Sequence, residues 1–425
     1  MLNHKQILDL RSKHLGPSLR VSYDEPLQIV RGEGQYLFDA KGYRYLDCVN
    51  NIQHVGHCHP KVVEAAQQQY KKLNTNTRYL DATIVNYAKN ITSTLPAGLE
   101  VCFFTNSGSE ANDLALRLAR QFTGSKATIV LDGAYHGNLS SLIEISSYKH
   151  NGPGGSGTPD HVHVIPIPDQ YRGKYRGEEC SEQYVQEVQN AIETIQNNDK
   201  NVSAFIAEAL MGCGGQLMLP KGFLKESFTK IKNAVGVCIA DEIQIGFGRM
   251  GSHFWGFESE GAIPDIVTMG KSMGNGHPLS AVVTTRKIAD SFNNGMEYFN
   301  SFGGNPVSCA IGQAVLDVIK EEGLQENALK VGSYLLDQLK NLQNQHDLIG
   351  EVRGRGLFIG IELVKDELAP ATAESQTIVN HMKDKGLLLS TDGPDHNVIK
   401  IKPPLVFNKE NADELVKKLD ETMTE

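Results

Sequence analysis

The chain of 425 residues lacks the long apolar runs and the basic clusters that mark membrane-spanning and nucleic-acid-binding proteins. No apolar stretch approaches the roughly 20 residues that a spanning helix needs. Lysine and arginine number 41 against 50 acidic residues, and the net charge of −9 disfavours binding to nucleic acid or anionic lipid. The first residues mix charges of both signs without a continuous apolar segment, so we expect no signal peptide.

Cysteine is scarce and shows no pattern. The seven cysteines are odd in number and lack paired spacing, so we expect free thiols in a reducing compartment, with the cytoplasm as the default location. The cluster of His54, His57, Cys58 and His59 has neither the spacing of a closed zinc site nor a second ligand pair, and we predict no metal site there.

Short apolar runs alternate with helical patterns through the middle of the chain. Helical spacing of apolar residues predicts helices over 182–197 and 221–234. Four β-branched runs bounded by turns are predicted strands: 127–131, 204–210, 235–240 and 265–269. This alternation predicts an α/β fold, with a mostly parallel sheet covered by helices on both faces.

The pattern changes after about residue 309 and predicts a smaller α+β domain. Strands are expected over 355–363 and 397–401. Helices are expected over 307–320, 324–344, 373–386 and 409–423. We therefore predict three parts: an N-terminal segment that joins the small domain, a large domain and a C-terminal small domain. Their bounds are 1–50, 51–308 and 309–425.

Two charged residues follow predicted strands, at the edge where open parallel sheets bind ligands. Lys271 lies in the Gly-rich segment DIVTMGKSMGNGHP, and Asp241 ends the preceding strand. A lysine amine must be neutral to form a Schiff base, and desolvation favours the neutral form. A buried aspartate needs a partner, such as a pyridinium nitrogen. Taken alone, each residue has a simpler alternative, a surface lysine or a structural ion pair.

Two further features suit a phosphate and an aromatic ring. In the segment FTNSGSEAN, Ser107, Gly108 and Ser109 open a helix whose first N–H groups favour an anion. The same segment is also good N-cap chemistry. Tyr135, in the segment AYHG, follows a predicted strand and could stack on a ring, although packing would also explain it.

Together, in this order and spacing, these features resemble the class III (ω-) aminotransferases, which are fold-type I enzymes dependent on pyridoxal 5'-phosphate. The resemblance covers essentially the whole chain. It implies that Lys271 forms a Schiff base with the cofactor and that Asp241 pairs with the pyridine nitrogen. The other cofactor contacts that it implies are Ser107, Gly108, Ser109, Tyr135, His136, Glu208, Ile243 and Gln244.

A further cofactor contact is implied from a neighbouring subunit. In the family a threonine-containing loop reaches the phosphate across the subunit interface. The matching segment SFGGNP carries Ser301, which keeps the hydroxyl. The resemblance therefore implies a homodimer or a higher homo-oligomer.

The chain departs from the aminotransferase pattern where many members bind a carboxylate acceptor. It has Lys400 in place of the family's arginine, and Cys213 in place of the glutamate that pairs with that arginine. A lysine does not reproduce the planar, bidentate guanidinium. We therefore expect the acceptor half of transamination to be impaired.

Five segments resemble one branch of the family, the phospho-lyases that act on phosphoethanolamine or 5-phosphohydroxylysine. They are NTNTRYL (74–80), PDQYRGKYRG (168–177), CVNNIQHVGHCHP (48–60), MEYFNSFGGNP (296–306) and LLLSTDGPDHNVIKIKPPL (387–405). The resemblance implies β-elimination of phosphate with Lys271 as general base. We favour phosphoethanolamine as substrate; 5-phosphohydroxy-L-lysine, true transamination and a non-catalytic binding role are the alternatives.

A substrate phosphate needs cationic partners of its own. We predict Arg78 and Lys400 for this role, with Asn50 and Asn51 as polar contacts. Further cationic candidates are Lys402, Arg172 and Arg176.

Overall fold

A computed structural model describes residues 2–198 and 200–425. The α-helices are α1 (His4–His14), α2 (Pro60–Lys72), α3 (Ala82–Thr92), α4 (Gly108–Thr123), α5 (Ser140–Ile145), α6 (Ser147–His150), α7 (Ser181–Gln196), α8 (Phe223–Asn233), α9 (Arg286–Phe292), α10 (Pro306–Glu321), α11 (Leu324–Gln343), α12 (Thr372–Asp384) and α13 (Lys409–Thr424). Short 3₁₀ helices span Gly256–Glu260, Lys271–Gly274 and Asp366–Leu368.

The strands of the described residues are short. They are β1 (Ile29–Glu33), β2 (Tyr36–Asp39), β3 (Arg44–Asp47), β4 (Val101–Thr105), β5 (Ala127–Leu131), β6 (Val162–Ile165), β7 (Val202–Glu208), β8 (Leu210–Met211), β9 (Leu217–Met218), β10 (Val237–Asp241), β11 (Ile266–Met269), β12 (Ser280–Thr284), β13 (Ile349–Arg355), β14 (Phe358–Leu363), β15 (Leu387–Leu388), β16 (Ser390–Asp392) and β17 (Val398–Ile401).

The central sheet has seven strands in the order β4-β12-β11-β10-β7-β5-β6. Strand β12 runs antiparallel to both of its neighbours, whereas β11, β10, β7, β5 and β6 run parallel to one another. The prediction of a mostly parallel sheet in an α/β fold is therefore confirmed. Strands β5, β7, β10 and β11 correspond to the four apolar runs, with ends shifted by up to two residues.

Both faces of this sheet are buried. Phe205 belongs to one apolar cluster and the next residue, Ile206, to another, because successive side chains of a strand point to opposite faces. Leu118 of α4 lies in the second cluster, and Val188 of α7 and Phe228 of α8 lie in the first. Strands covered on both sides carry unbroken apolar runs, which is why their positions were predictable.

Two smaller sheets involve the ends of the chain. Strands β13, β14, β17 and β16 form an antiparallel sheet, in which β14 supplies the core of the predicted strand 355–363. That prediction began too early, because Arg355 ends β13 and Gly356, at a φ of +57°, forms the turn. Strand β3 pairs with β15, with Leu46 opposite Leu387. The assignment of residues 1–50 to the small domain and the domain bounds stay predictions.

The histidines of residues 54–59 have separate partners. His54 Nε2 lies 2.7 Å from the carbonyl oxygen of Phe247, and His57 Nε2 lies 2.7 Å from Asp47 Oδ2. His59 instead faces Glu322. Within the described residues no group of three potential metal ligands occurs, and no helix is long and apolar enough to cross a membrane.

Candidate active site

A cavity of about 170 Å³ lies at the carboxyl ends of β7, β10 and β11. It is lined by Gly108, Ser109, Tyr135, His136, Gly137, Glu208, Asp241, Ile243, Gln244 and Lys271. The structure thus brings together nine of the predicted cofactor contacts. A larger surface groove of about 770 Å³, next to α3, α10 and α11, contains none of the predicted site residues.

Asp241 is a buried carboxylate held by donors. Its Oδ2 accepts hydrogen bonds from His136 Nδ1 and Asn112 Nδ2, both at 2.8 Å, and its Oδ1 accepts one from the N–H of Ile243 at 3.1 Å. Because a carboxylate only accepts, His136 carries its proton on Nδ1. Burial of this carboxylate makes a cationic partner in the cavity favourable.

The start of α4 forms the anion-binding end of the cavity. Ser107 is the N-cap, and its hydroxyl accepts a hydrogen bond from the N–H of Glu110 at 3.2 Å. The N–H groups of Gly108 and Ser109, in the first turn, have no acceptor within the helix and can bind a phosphate. A Cβ atom on Gly108 would lie 2.7 Å from Ile243 Cδ1, so a larger residue here would displace the Ile243 side chain.

Lys271 begins the 3₁₀ helix that follows β11. Its φ of +34° is unusual for a residue with a side chain, and such strain concentrates at functional sites. A Cβ atom on Gly270 would lie 3.4 Å from the backbone nitrogen of Gly108, so the lysine loop packs against the start of α4. Lys271 forms no ion pair with the described residues and lines the cavity, which leaves its amine available to a ligand.

Glu208 is the second acid of the cavity. Its Oε2 accepts a hydrogen bond from the N–H of Gly212 at 3.1 Å, and its buried Oε1 has no partner in the described structure. Burial, followed by the charge of Asp241, raises the pKa of Glu208 to about 7. A protonated Glu208 could donate a hydrogen bond into the cavity near neutral pH.

Lys402 contacts the cavity lining through Gln244. Its Nζ donates to Gln244 Oε1 at 2.9 Å, and Asn51 Nδ2 donates to the same oxygen at 3.4 Å. Burial lowers the pKa of Lys402 to about 7, although the neighbouring Asp392 opposes this shift. Sequence reasoning named Lys402 only as a further candidate, and preferred Lys400.

The two preferred cationic candidates lie elsewhere in this chain. Lys400 Nζ is 3.3 Å from Asp392 Oδ2. Arg78 is exposed, pairs with both carboxylate oxygens of Glu297 at 3.0 Å, and stacks on Phe299 with its guanidinium carbon 4.1 Å from the ring centroid. Neither lines the cavity, so their contact with substrate stays a prediction.

The remaining predicted residues are also placed outside the lining. The N–H of Asn50 donates to Asp47 Oδ1 at 2.9 Å, and Ser301 lies on an exposed segment. Arg172 forms ion pairs with Glu362 and with Asp395, and its role is therefore structural.

Two contributors to the site were missed by sequence reasoning. Asn112 follows Gly108 by four positions and therefore shares its helix face, which is a readable signal. Gly137 lies at a φ of +143°, and a Cβ atom there would lie 2.7 Å from Ser109 Oγ. The close approach of Gly137 to α4 is a tertiary contact, and no local sequence pattern predicts it.

The cavity residues fit pyridoxal phosphate. The carboxylate of Asp241 suits a protonated ring nitrogen, the start of α4 suits a phosphate, and the amine of Lys271 suits an aldehyde. The half-buried ring of Tyr135, packed edge-on against Tyr148 at 6.5 Å, supplies an aromatic wall.

Comparison with known proteins identifies the family of this chain. The family model for class-III aminotransferases matches residues 19–423. A Drosophila melanogaster protein named alanine–glyoxylate aminotransferase 2-like is 51% identical and is aligned over 100% of this chain and 88% of its own length. A Caenorhabditis elegans protein named ethanolamine-phosphate phospho-lyase homolog 1 is 44% identical, with 99% and 93% covered.

A solved structure has a similar fold. A phospholyase from Arthrobacter in complex with phosphoethanolamine superposes with a TM-score of 0.94 at 41% identity, over 98% of this chain and 99% of the other. The family relationship carries the fold-type I architecture and the dependence on pyridoxal phosphate. The chain belongs to the class-III aminotransferase family.

Proposed function

We propose that this enzyme is a phospho-lyase that converts phosphoethanolamine and water into acetaldehyde, ammonia and inorganic phosphate. The observation that carries the proposal is the replacement of the family's arginine–glutamate gate. Burial and the charge of Asp392 raise the pKa of Cys213 to about 12, so the position of the gating carboxylate is neutral. The lysines at 400 and 402 are point charges, which suit a phosphate better than a planar carboxylate.

The named relatives support the same choice. The Arthrobacter phospholyase is described with phosphoethanolamine bound, and the Caenorhabditis elegans relative carries a phospho-lyase name. Both align over nearly the whole of this chain.

The proposed mechanism assigns one task to each group. Bound pyridoxal phosphate supplies an electron sink for negative charge on the amine-bearing carbon. Asp241 would keep its ring nitrogen protonated, and Gly108 and Ser109 would hold its phosphate. Lys271 removes the proton from the amine-bearing carbon as general base. The bond between the adjacent carbon and the phosphate oxygen then breaks, and water hydrolyses the remaining product to aldehyde and ammonia.

Lys402 and Lys400 would bind the departing phosphate. Lys402 is buried beside Gln244, in a place where a dianion would favour its charged form. The side chain of Lys400 is one quarter exposed and forms an ion pair with Asp392. Loss of the phosphate therefore occurs next to positive charge, which stabilises it.

We propose a homodimer as the active unit. Several large apolar side chains are exposed on the segments that carry Arg78 and Ser301, including Leu80, Phe302 and Met296. Exposed apolar surface of this kind marks an interaction site. Burial against a second copy would bring Ser301 to the neighbouring cavity, as the family resemblance implies, and we propose that Arg78 would accompany it.

Transamination is the second candidate, because the Drosophila melanogaster relative with 51% identity carries an aminotransferase name. The same cofactor residues serve both reactions, so only the acceptor site separates them. Elimination from 5-phosphohydroxy-L-lysine would use the same chemistry with a longer substrate.

We also propose a cytoplasmic location. All seven cysteines are free thiols, as expected in a reducing compartment. Cell fractionation with an antibody against the chain would test this, and recovery in an organelle would contradict it.

Phosphate release tests the proposed function. The cofactor-loaded enzyme is incubated with phosphoethanolamine without any keto acid, and inorganic phosphate and acetaldehyde are assayed together. We expect equal amounts of both, abolished in Lys271→Ala and retained in Lys330→Ala, a matched change at an exposed helix position. Absence of release, together with amino transfer from an ω-amine to a keto acid, would establish transamination instead.

A further inference from the structure

Gln216 is a buried and strained residue beside the proposed phosphate site. It has no exposed surface, and its φ of +57° lies in the left-handed region that favours glycine. Its Oε1 is buried with no partner in the described structure. Strain and an unpaired polar atom both cost stability, so a glutamine here calls for a functional explanation.

The side chain of Gln216 holds Asp392. Its Nε2 donates to Asp392 Oδ2 at 2.9 Å and to the carbonyl oxygen of Gly212 at 2.9 Å. The same Oδ2 atom faces Lys400 Nζ at 3.3 Å. Charge-assisted hydrogen bonds between ammonium and carboxylate groups are about 2.7–2.9 Å long. The ion pair of Lys400 is longer than such a bond.

The position of Gln216 is fixed from two sides. The guanidinium of Arg353 donates from Nε at 3.0 Å and from Nη2 at 2.6 Å to the carbonyl oxygen of Gly215. A Cβ atom on Gly360 would lie 2.7 Å from the Cβ atom of Gln216, so the glutamine stem packs on bare backbone. These contacts fix the backbone and the stem of Gln216, and its side-chain amide donates to Asp392 from this fixed position.

Glutamine suits this task because its amide is neutral. It satisfies one acceptor site of Asp392 without cancelling the negative charge, whereas a lysine would neutralise it and a glutamate would repel it. Asp392 remains an anion whose position is set by Gln216.

We propose that Gln216 is a positioning residue for the substrate phosphate. It anchors Asp392 at a distance that leaves the ammonium of Lys400 free to bind the phosphate. Without the anchor, Asp392 closes on Lys400 and competes with the substrate. This inference rests on the proposed phospho-lyase function and adds to it the residue that keeps a phosphate-binding cation available.

A double-mutant cycle on the cofactor-loaded enzyme tests the anchor. Gln216→Gly removes the amide and tolerates the positive φ, and Asp392→Asn removes the competing charge without changing its shape. We expect Gln216→Gly to raise the Kd for inorganic phosphate, measured by calorimetry, about tenfold. The KM for phosphoethanolamine should rise similarly, with a smaller change in kcat. In the Asp392→Asn background the same change should have less than about a twofold effect.

Two controls separate positioning from a structural role. Gln216→Asn also tolerates the backbone and keeps an amide, but it is one methylene too short to reach Asp392, so it should resemble Gln216→Gly. The melting temperature and the cofactor absorbance of each variant report on the fold and on the cofactor site, and should change little.

The outcomes are distinct. An unchanged Kd and KM in Gln216→Gly, in an enzyme that releases phosphate, would overturn the inference and leave the proposed function standing. An equal loss in both backgrounds would also overturn it, because the effect would not pass through Asp392. A wild-type enzyme that releases no phosphate from phosphoethanolamine would overturn the proposed function and the inference with it.

Discussion

Glu208 and Asp241 lie side by side at the ends of two neighbouring parallel strands, where they are partners in the register of β7 and β10. Asp241 is supplied with donors by His136 and Asn112, whereas Glu208 keeps one buried oxygen without a partner. Two adjacent buried carboxylates do not both ionise easily. Burial and the neighbouring Asp241 therefore raise the pKa of Glu208.

This pair predicts a pH dependence of stability. Because the pKa of Glu208 is about 7 in the folded protein against an ordinary value of 4.5, the folded state binds more protons between these pH values. Its contribution to the free energy of unfolding should thus fall by about 3 kcal/mol as the pH rises through this window. Melting temperatures of the cofactor-free protein should show this loss, and Glu208→Gln should flatten it. Equal slopes for the two proteins would contradict the assignment.

Lys402→Met should weaken substrate binding more than turnover. The change keeps an unbranched apolar side chain and removes the amine, which lies 4.5 Å from the centroid of the Phe358 ring and donates to Gln244. We expect the KM for phosphoethanolamine to rise by about 10- to 100-fold. Since the pKa of Lys402 is about 7, the wild-type KM should also rise above that pH, and the variant should lack this rise. A KM that is independent of both changes would exclude Lys402 from the phosphate site.

Gly108→Ala should weaken cofactor binding. The new methyl group would lie 2.7 Å from Ile243 Cδ1, and the resulting overpacking costs about 1–3 kcal/mol. Ile243→Val removes that Cδ1 atom, so the double variant should recover part of the loss. Titration of the cofactor into each apoenzyme measures the effect. If the double variant binds no better than Gly108→Ala alone, the clash is not the cause.

Asp241→Asn should reduce kcat by at least about 100-fold, because the ring nitrogen loses the charge that keeps it protonated. Asn112→Ala leaves the carboxylate but removes one of its donors, so we expect a smaller loss. Steady-state kinetics of both variants, with cofactor occupancy determined by absorbance, give the comparison. A larger loss in Asn112→Ala would show that orientation matters more than charge.

Leu80→Glu should shift the enzyme from dimer to monomer. Leu80 is fully exposed in the single chain, and a charge at its place would be buried in the proposed interface. Sedimentation velocity measures the shift, and activity should fall with it because Arg78 and Ser301 would no longer reach a neighbour. Val235→Glu, at a second highly exposed apolar position, serves as the control. If the Leu80→Glu variant remains a dimer, the dimer interface does not include Leu80.

Much of the core was predictable from sequence because it depends on local patterns. The buried strands carry unbroken apolar runs, and the residues that follow them must meet at one edge of the sheet. Lys271, Asp241 and Gly108 could be placed in one site on that basis. The family resemblance then supplied roles that spacing alone left open.

The substrate side was harder, because it depends on contacts between distant segments. Lys400 lies in β17 and Lys402 follows the end of that strand, so the sequence does not show which of the two enters the site. Only the folded chain places Gln244 within 2.9 Å of Lys402 and Asp392 within 3.3 Å of Lys400. Arg78 likewise has a partner, Glu297, that lies 219 residues away.

The close approach of Gly270 to Gly108 has a consequence for how this scaffold can change its chemistry. Both positions in this contact are glycines, so the lysine loop and the start of α4 meet through their backbones without an intervening side chain. The residues at 213, 400 and 402 belong to other segments and can vary independently. The residues that would hold the cofactor therefore lie in different segments from the residues that would select the leaving group.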